Sequence, residues 1–227
     1  MQYKALLNSS LWALILVYSS VPAAEDVPKN LDSDLSYFFG YSFGNMLKEG
    51  GNNEVDLERL AQGIKDSLAE KAPELTQSQQ EAVIELVKKR RSDLQSRQGL
   101  AMLVQGQEFL AVNAGKEGVK RTASGLQYKV IEEGTGAKPT VDNTVVVHYE
   151  GQLINGQIFD SSRQRGQPAE FGLGQVIRGW TEGLQLMKEG GKTRLFIPSE
   201  LGYGPGGTGN IPANAVLIFD VELIEIK

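Results

Sequence analysis

Apolar residues in the N-terminal half of the chain recur with the period of an α-helix. Leu35, Phe39 and Phe43 follow one another at intervals of four residues, which places them on one helical face. Other apolar residues widen this face: Phe38, Met46 and Leu47. The pair Gly50-Gly51 then predicts the end of this first helix.

A second amphipathic helix follows. Its apolar stripe is formed by Leu57, Leu60, Ala61, Ile64 and Leu68. Helices this short are only marginally stable on their own in water. The pattern therefore predicts that both stripes are buried against another surface.

The third predicted helix is unusually long. Thr76 followed by Gln79 is typical of a capping box, and no proline interrupts the chain from there until Pro139. A continuous helix to about Asn113 would be about 55 Å long at 1.5 Å per residue. The segment 88–99 is nearly all polar, which favours a solvated strut between two packed ends, although a helix folded back on its own domain stays an alternative. Within this helix Gly99 and Gly106 are predicted to favour bending.

After Gly115 the pattern changes from helices to strands. Strands are predicted at 126–131, 145–149, 192–197 and 215–226, with the hairpin dipeptide Asn155-Gly156 after the second. A short helix is predicted to start near Ile177 and to end at Gly190-Gly191. The expected fold class of this half is α+β, with an antiparallel sheet wrapped on one short helix.

Composition narrows the range of functions. The 227 residues carry a formal net charge of −5, which argues against nucleic acid as the main partner. The absence of cysteine excludes disulfides, thiolate metal sites, cysteine nucleophiles and an acylated lipoprotein cysteine. With His148 the only histidine, we expect no metal site.

The first residues resemble a targeting segment. Lys4 supplies a positive charge, the apolar run 11–17 follows, and Val21-Pro22-Ala23-Ala24 offers small residues for a signal peptidase. The apolar run is shorter than the roughly 20 residues that a membrane-spanning helix needs. We therefore expect residues 1–23 to be a cleaved signal peptide, with a retained anchor as the alternative.

Sequence blocks in the second half carry a family resemblance. The blocks are Val147-His148-Tyr149-Glu150-Gly151, Gly156-x-x-Phe159-Asp160-Ser161-Ser162, Val176-Ile177-x-Gly179-Trp180, Tyr203-Gly204, Ile211-Pro212 and Phe219-Asp220-Val221-Glu222-Leu223. In this order they closely resemble the FKBP-type peptidyl-prolyl cis–trans isomerases. The N-terminal half, with Gly40-Tyr41-Ser42-x-Gly44, resembles the helical domain of the macrophage infectivity potentiator (Mip) subgroup of bacterial envelope isomerases.

This resemblance implies a division into domains. A helical dimerisation domain that includes the long linker helix would cover residues 24–114, and an FKBP-type isomerase domain would cover residues 115–227. The expected assembly is a homodimer.

The chemistry of such an enzyme needs no nucleophile, metal or cofactor. Resonance gives the peptide bond a rotation barrier of roughly 18–20 kcal/mol, and exchange at X-Pro bonds takes tens to hundreds of seconds. An apolar pocket that excludes water favours the twisted, less polarised amide. The second half supplies aromatic and aliphatic residues for such a pocket.

The resemblance also implies the roles of individual residues. Trp180 would form the floor under the proline ring. The tyrosine hydroxyl of Tyr203 and the backbone of Ile177 would hydrogen-bond the substrate, and Asp160, tied to Arg165, would lie beside the twisted carbonyl. The catalytic residues are expected to be Asp160, Tyr203 and Tyr149. The substrate-binding residues are expected to be Phe159, Arg165, Phe171, Val176, Ile177, Trp180, Ile211 and Phe219.

Three features qualify this prediction. His148 is one residue from Tyr149 in a strand and therefore faces the opposite side, which favours a structural role. Ala169 stands where compact eukaryotic members carry an aromatic wall residue, and the loop between Phe171 and Val176 is shorter. These departures leave the pocket width, and the affinity for the family's macrolide inhibitors, open.

The expected function is therefore isomerisation of X-Pro bonds in unfolded or partly folded proteins of the periplasm, with chaperone activity and without a cofactor. One alternative is a periplasmic holdase chaperone whose isomerase activity is incidental. Another is a structural dimer that presents the domain to one fixed partner. Whether the mature protein also associates with the outer membrane is left open by the sequence.

Overall fold

The computed structural model describes residues 31–227, and the expected signal peptide lies outside this range. Helix α1 (Leu31–Glu49) belongs to one compact unit, and the chain from Gly50 to Lys227 forms another. Acidic residues in the first turn of α1 and Lys48 in its last turn complement the helix dipole. As predicted, α1 ends at the two glycines, and Gly51 adopts a φ of +77°.

The second unit begins with two further helices. Helix α2 (Leu57–Leu68) starts at Asp56, whose side chain accepts a hydrogen bond from the backbone N–H of Arg59. Helix α3 (Gln77–Ala114) has 38 residues, and the predicted capping box of Thr76 and Gln79 is present. The prediction of one continuous helix is confirmed. Within residues 31–227, no helix combines the length and hydropathy that crossing a membrane requires.

Seven antiparallel strands form the sheet of the second unit. They are β1 (Val119–Arg121), β2 (Gln127–Glu132), β3 (Thr144–Leu153), β4 (Ile158–Ser161), β5 (Ala169–Gly172), β6 (Lys192–Ile197) and β7 (Leu217–Ile226), in the order β1-β2-β6-β7-β3-β4. The first half of β3 pairs with β5 and its second half with β4, so two short strands share one edge of β3. The hairpin at Asn155-Gly156 is confirmed, with Gly156 at a φ of +84°.

Helix α4 (Arg178–Leu186) packs on one face of this sheet. It lies close to β6 because two of its residues lack a side chain. A Cβ atom on Gly179 would lie 2.4 Å from Cγ2 of Ile197, and one on Gly183 would lie 2.8 Å from Leu195. The antiparallel sheet wrapped on a short helix therefore confirms the predicted fold class.

The predicted end of α4 was wrong. The helix stops at Leu186, before the glycines, because Met187 turns to an extended conformation and enters the core. Gly190 and Gly191 instead join a turn that hydrogen-bonds to Leu223 of β7. The sequence pattern also did not predict β1, β4 or β5, which have only three or four residues each.

The C-terminal part of α3 packs against the sheet. The ring centroids of Phe109 and Phe196 are 6.1 Å apart. At the end of the helix the buried amide of Asn113 donates to Oε1 of Gln127 at 2.9 Å, and the Gln127 amide donates to the carbonyl of Leu110 at 2.8 Å. These hydrogen bonds connect α3 to β2 through groups that water does not reach.

Asn113→Ala should therefore destabilise the protein. The substitution leaves the buried Oε1 of Gln127 without its donor, which costs about 1–3 kcal/mol. Gln105→Ala on the exposed face of the same helix is the matched control and should change stability by at most about 0.5 kcal/mol. Urea unfolding of both variants measures the difference, and equal stabilities would refute a structural role for the Asn113 amide.

Candidate functional site

Four aromatic side chains from different elements of the sheet domain meet in one cluster. Tyr149 lies on the core face of β3, Phe171 on β5, Trp180 in the first turn of α4 and Phe219 on β7. The indole of Trp180 lies 5.2 Å from the rings of Tyr149 and Phe219 and 5.5 Å from that of Phe171, measured between centroids. All three contacts are within 7° of perpendicular, the edge-to-face geometry that aromatic pairs prefer.

Trp180 itself is held rigidly by this arrangement. Only 4% of its surface is exposed, and its Nε1 is the one buried side-chain polar atom in the described residues that has no hydrogen-bond partner. The surrounding rings therefore form an apolar environment with little access to water.

Gly151 of β3 allows two aromatic rings to lie close to the backbone of that strand. Phe159 and Phe219 pack edge to face, with centroids 5.5 Å apart. A Cβ atom on Gly151 would lie 2.6 Å from both rings. Sequence analysis did not single out Gly151 as a site residue, although a glycine inside a strand is the usual signal of such a close approach.

A charged group lies at the edge of the aromatic cluster. Tyr149 donates its hydroxyl hydrogen to one carboxylate oxygen of Asp160, and Arg165 donates to the other. Arg165 also donates to the Tyr149 hydroxyl oxygen at 2.8 Å, and its guanidinium carbon lies 5.5 Å from the centroid of the tyrosine ring. The structure thus brings together three of the predicted site residues in one hydrogen-bonded triad.

The triad keeps its charge state over a wide pH range. Burial by itself would raise the pKa of Asp160, but hydrogen bonds from Tyr149 and Arg165 outweigh it and hold the pKa below the ordinary 3.8. Burial, assisted by the hydrogen bond to Asp160, raises the pKa of Tyr149 above 10.0. Near neutral pH, Asp160 is therefore an anion and Tyr149 a neutral donor.

The start of α4 offers a backbone donor. Val176 and Ile177 pack against the core cluster just before the helix, and the carbonyl of Ile177 accepts hydrogen bonds from Trp180 and Thr181. Among the described residues, the N–H of Ile177 has no backbone partner. It belongs to the donors that a helix leaves unsatisfied at its N-terminus.

Tyr203 and Ile211 come from the long connection between β6 and β7. Ile211 is almost fully buried in the core cluster, whereas Tyr203 is 41% exposed and is the most exposed aromatic residue of the predicted site. This connection therefore contributes both a buried apolar side chain and an accessible hydroxyl group.

His148 lies on the other face of β3 from Tyr149, as predicted. Its Nδ1 is 3.1 Å from the hydroxyl of Ser162, which also accepts a hydrogen bond from the backbone N–H of Tyr149. Ser162 therefore helps to hold the strand that carries Tyr149, a role that the sequence pattern did not indicate.

Ala169 lies opposite Val147 in the β3–β5 pair and packs against the core cluster.

Comparison with protein-family models gives two matches. Residues 135–224 match the model described as FKBP-type peptidyl-prolyl cis-trans isomerase. Residues 32–130 match the model described as the domain amino terminal to FKBP-type peptidyl-prolyl isomerase. Together the two models cover nearly all of the described chain.

Individual relatives are similar over most of their length. An FKBP-type isomerase, FkpA, of Aeromonas hydrophila is 43% identical over 92% of this chain and 81% of its own. The outer membrane protein MIP of Legionella longbeachae is 39% identical over 93% of this chain and 94% of its own. The crystal structure of FkpA from Escherichia coli matches with a TM-score of 0.72 at 39% identity, covering 88% of this chain and 99% of that one.

The pKa of Asp160 tests the electrostatics of the triad. Arg165→Met should raise it, because burial still disfavours the carboxylate while one stabilising hydrogen bond is lost. Because the pKa in the folded protein is lowered, the stability that Asp160 contributes is complete above the ordinary pKa and is lost as the pH falls through the lowered value. Carboxyl-carbon NMR titration measures the midpoint directly.

Arg163→Met is the matched control, since Arg163 pairs with Glu222 at 2.6 Å. That variant should raise the pKa of Glu222, which the Arg163 hydrogen bond lowers, and should leave Asp160 unchanged. An Asp160 midpoint that is the same in the wild type and in Arg165→Met would contradict the assignment.

Proposed function

We propose that this chain, which belongs to the FKBP-type peptidyl-prolyl cis–trans isomerase family, rotates X-Pro bonds of protein substrates in the aromatic pocket above Trp180. The family relationship establishes the isomerase activity. The observation that supports the location is the buried indole of Trp180, which is enclosed by three perpendicular rings beside a charged triad.

The apolar floor acts on the amide itself. A planar X-Pro amide is polarised by resonance, and water stabilises that polarity. As the bond twists, resonance is lost and the group becomes less polar, so a pocket without water favours the twisted state over the planar one. Trp180 would support the proline ring, and Phe159, Phe171, Val176, Ile211 and Phe219 would complete the pocket.

The polar groups act at the rim of the pocket. Tyr203 and the N–H of Ile177 would donate hydrogen bonds to substrate carbonyl groups. Asp160, kept ionised by Tyr149 and Arg165, would lie beside the rotating carbonyl, where a fixed charge needs no reorganisation during the reaction. Because no covalent bond is broken, this mechanism requires neither a cofactor nor a nucleophile.

Asp160→Leu and Tyr203→Phe should each lower kcat/KM several-fold on a short X-Pro peptide while the fold is retained. Losing a hydrogen bond or charge at the rotating amide costs about 1–2 kcal/mol of transition-state stabilisation. Tyr128→Phe on β2 is a matched control that removes a tyrosine hydroxyl away from the pocket and should keep normal activity. Wild-type activity in both folded site variants would mean that the reaction occurs elsewhere.

The helical segment points to self-association. In the single chain most apolar residues of α1 and α2 are solvent-exposed, with Phe39 at 57% and Leu68 at 81% exposure. Val83, Ile84, Leu86 and Val87 at the start of α3 are exposed as well. Soluble proteins rarely leave so many large apolar side chains in contact with water. We therefore propose that residues 24–114 form the contact between two copies, because pairing hides equivalent faces in one step.

A homodimer would also provide the chaperone activity that we propose. Two isomerase domains carried on α3 helices would flank a common space, and a client chain held there would meet either site at raised effective concentration. A short peptide gains nothing from this tethering. The two substrates therefore separate catalysis in the pocket from action on whole proteins.

Deleting residues 24–96 should give a monomer that isomerises a short peptide nearly as well as the intact protein but catalyses a proline-limited refolding reaction much less. This deletion keeps the turns of α3 that contact the sheet. Light scattering and the two assays in parallel measure the effect. A monomeric intact protein, or a truncated one that refolds proteins equally well, would refute the dimer proposal.

We further propose that the protein acts in the periplasm after removal of residues 1–23. The targeting features of the sequence support this, as does the name of the Legionella relative, an outer membrane protein. Protein recovered from a bacterial envelope fraction should begin near Ala24 or Glu25, which intact mass spectrometry determines. Recovery of the native protein with Met1 to Ala23 attached would contradict cleavage.

A further inference from the structure

The loop between Gly204 and Asn214, which we call the site loop, links two of the proposed pocket residues. It begins directly after Tyr203 and contains Ile211. Its two ends are joined, because the backbone N–H of Asn214 donates to the carbonyl of Gly204 at 2.9 Å. Inside the loop, Thr208 and Ile211 exchange two backbone hydrogen bonds of 3.0 and 2.7 Å.

Asn214 connects the base of this loop to α3. Its φ is +59°, a left-handed conformation that few residues other than Gly, Asn and Asp adopt readily. From this position its side-chain amide donates to the carbonyl of Gly99 at 3.0 Å. One residue therefore closes the site loop through its backbone and holds α3 through its side chain.

A second contact supports the first, two helical turns further along α3. Gly106 lies seven residues after Gly99 and so on the same face of the helix. A Cβ atom on Gly106 would lie 2.7 Å from Cγ2 of Val216, and one on Gly99 would lie 3.3 Å from Cβ of Ala213. Both glycines are buried within a continuous helix. Their small size permits the close approach of α3 to residues 213–216.

We infer that Asn214 is a positioning residue of the isomerase and that α3, through Gly99 and Gly106, is the support against which the site loop is held. The inference rests on the proposed pocket, because Tyr203 and Ile211 matter only if the substrate binds there. The helix thus has a second role besides carrying the N-terminal segment. It fixes the base of the loop, and the loop fixes the hydroxyl of Tyr203 and the wall formed by Ile211.

Two variants of the intact protein disturb this support from opposite sides. Asn214→Gly keeps the left-handed backbone conformation but removes the amide that donates to Gly99. Gly106→Ala adds a methyl group against Val216 and pushes the helix away from it. Each should lower kcat/KM on a short X-Pro peptide by about tenfold, since small displacements of groups that orient a substrate are costly.

The double variant Gly106→Ala/Val216→Ala provides the rescue. Shortening Val216 removes the Cγ2 atom that the new methyl group would strike and leaves Cβ at an ordinary contact distance of 3.8 Å. Activity should return to that of the Val216→Ala single variant, which is the matched control for lost core packing. Gly106→Ala thus lowers kcat/KM by introducing the clash with Val216, and the added Val216→Ala substitution restores it by removing that clash.

Amide hydrogen exchange supplies a readout that a merely structural role would not move. In Asn214→Gly and Gly106→Ala, exchange should accelerate at the backbone amides of positions 208, 211 and 214, while the amides of the β3–β7 pair keep wild-type rates. Acceleration across β3 and β7 as well would show general destabilisation and overturn the inference. So would unchanged kcat/KM in both single variants, or a double variant no more active than Gly106→Ala.

The proposed function is tested separately by the wild-type protein in the same assay. A wild type that does not isomerise the peptide would refute the proposed function. An active wild type whose single variants match it refutes only the positioning role of Asn214.

Discussion

Helix α4 can lie directly on β6 only because Gly179 and Gly183 have no side chains, and the proposed pocket depends on this close approach. Any larger residue at Gly179 would meet Ile197 at well below van der Waals distance. The approach sets the depth at which Trp180, the next residue, meets the rings from β3, β5 and β7. A displacement of the helix would open these contacts together and admit water to the floor.

In the proposed mechanism, catalysis depends on two kinds of group in the pocket. The aromatic floor supplies a medium with little water, which favours the twisted amide without any specific contact. The rim supplies a fixed charge and hydrogen-bond donors, and these need accurate placement. Tyr149 and Arg165 hold Asp160 in place. The site loop, which lies beside Tyr203 and contains Ile211, is attached to α3. The long helix is thus connected to the proposed pocket and is not a linker alone.

Much of the fold could be predicted from local pattern, and the exceptions have physical reasons. The bounds of α2 and β6 follow directly from their apolar periodicity. The end of α4 does not follow from the pattern, because Gly190 and Gly191 form a tight turn that hydrogen-bonds to β7 and do not end the helix. The proposed site residues came from motifs, yet Gly151 and Asn214 were missed. Their importance lies in contacts with distant segments, which no local pattern in one sequence reveals.

The central claim is that an X-Pro bond rotates while its proline ring rests on Trp180. Exchange NMR on a short X-Pro peptide with a small amount of the full-length protein tests this most directly. The account predicts cis–trans exchange peaks at an unchanged isomer ratio, together with intermolecular NOEs between the proline ring and the Trp180 indole. Catalysed exchange with NOEs to other residues and none to Trp180 would contradict it.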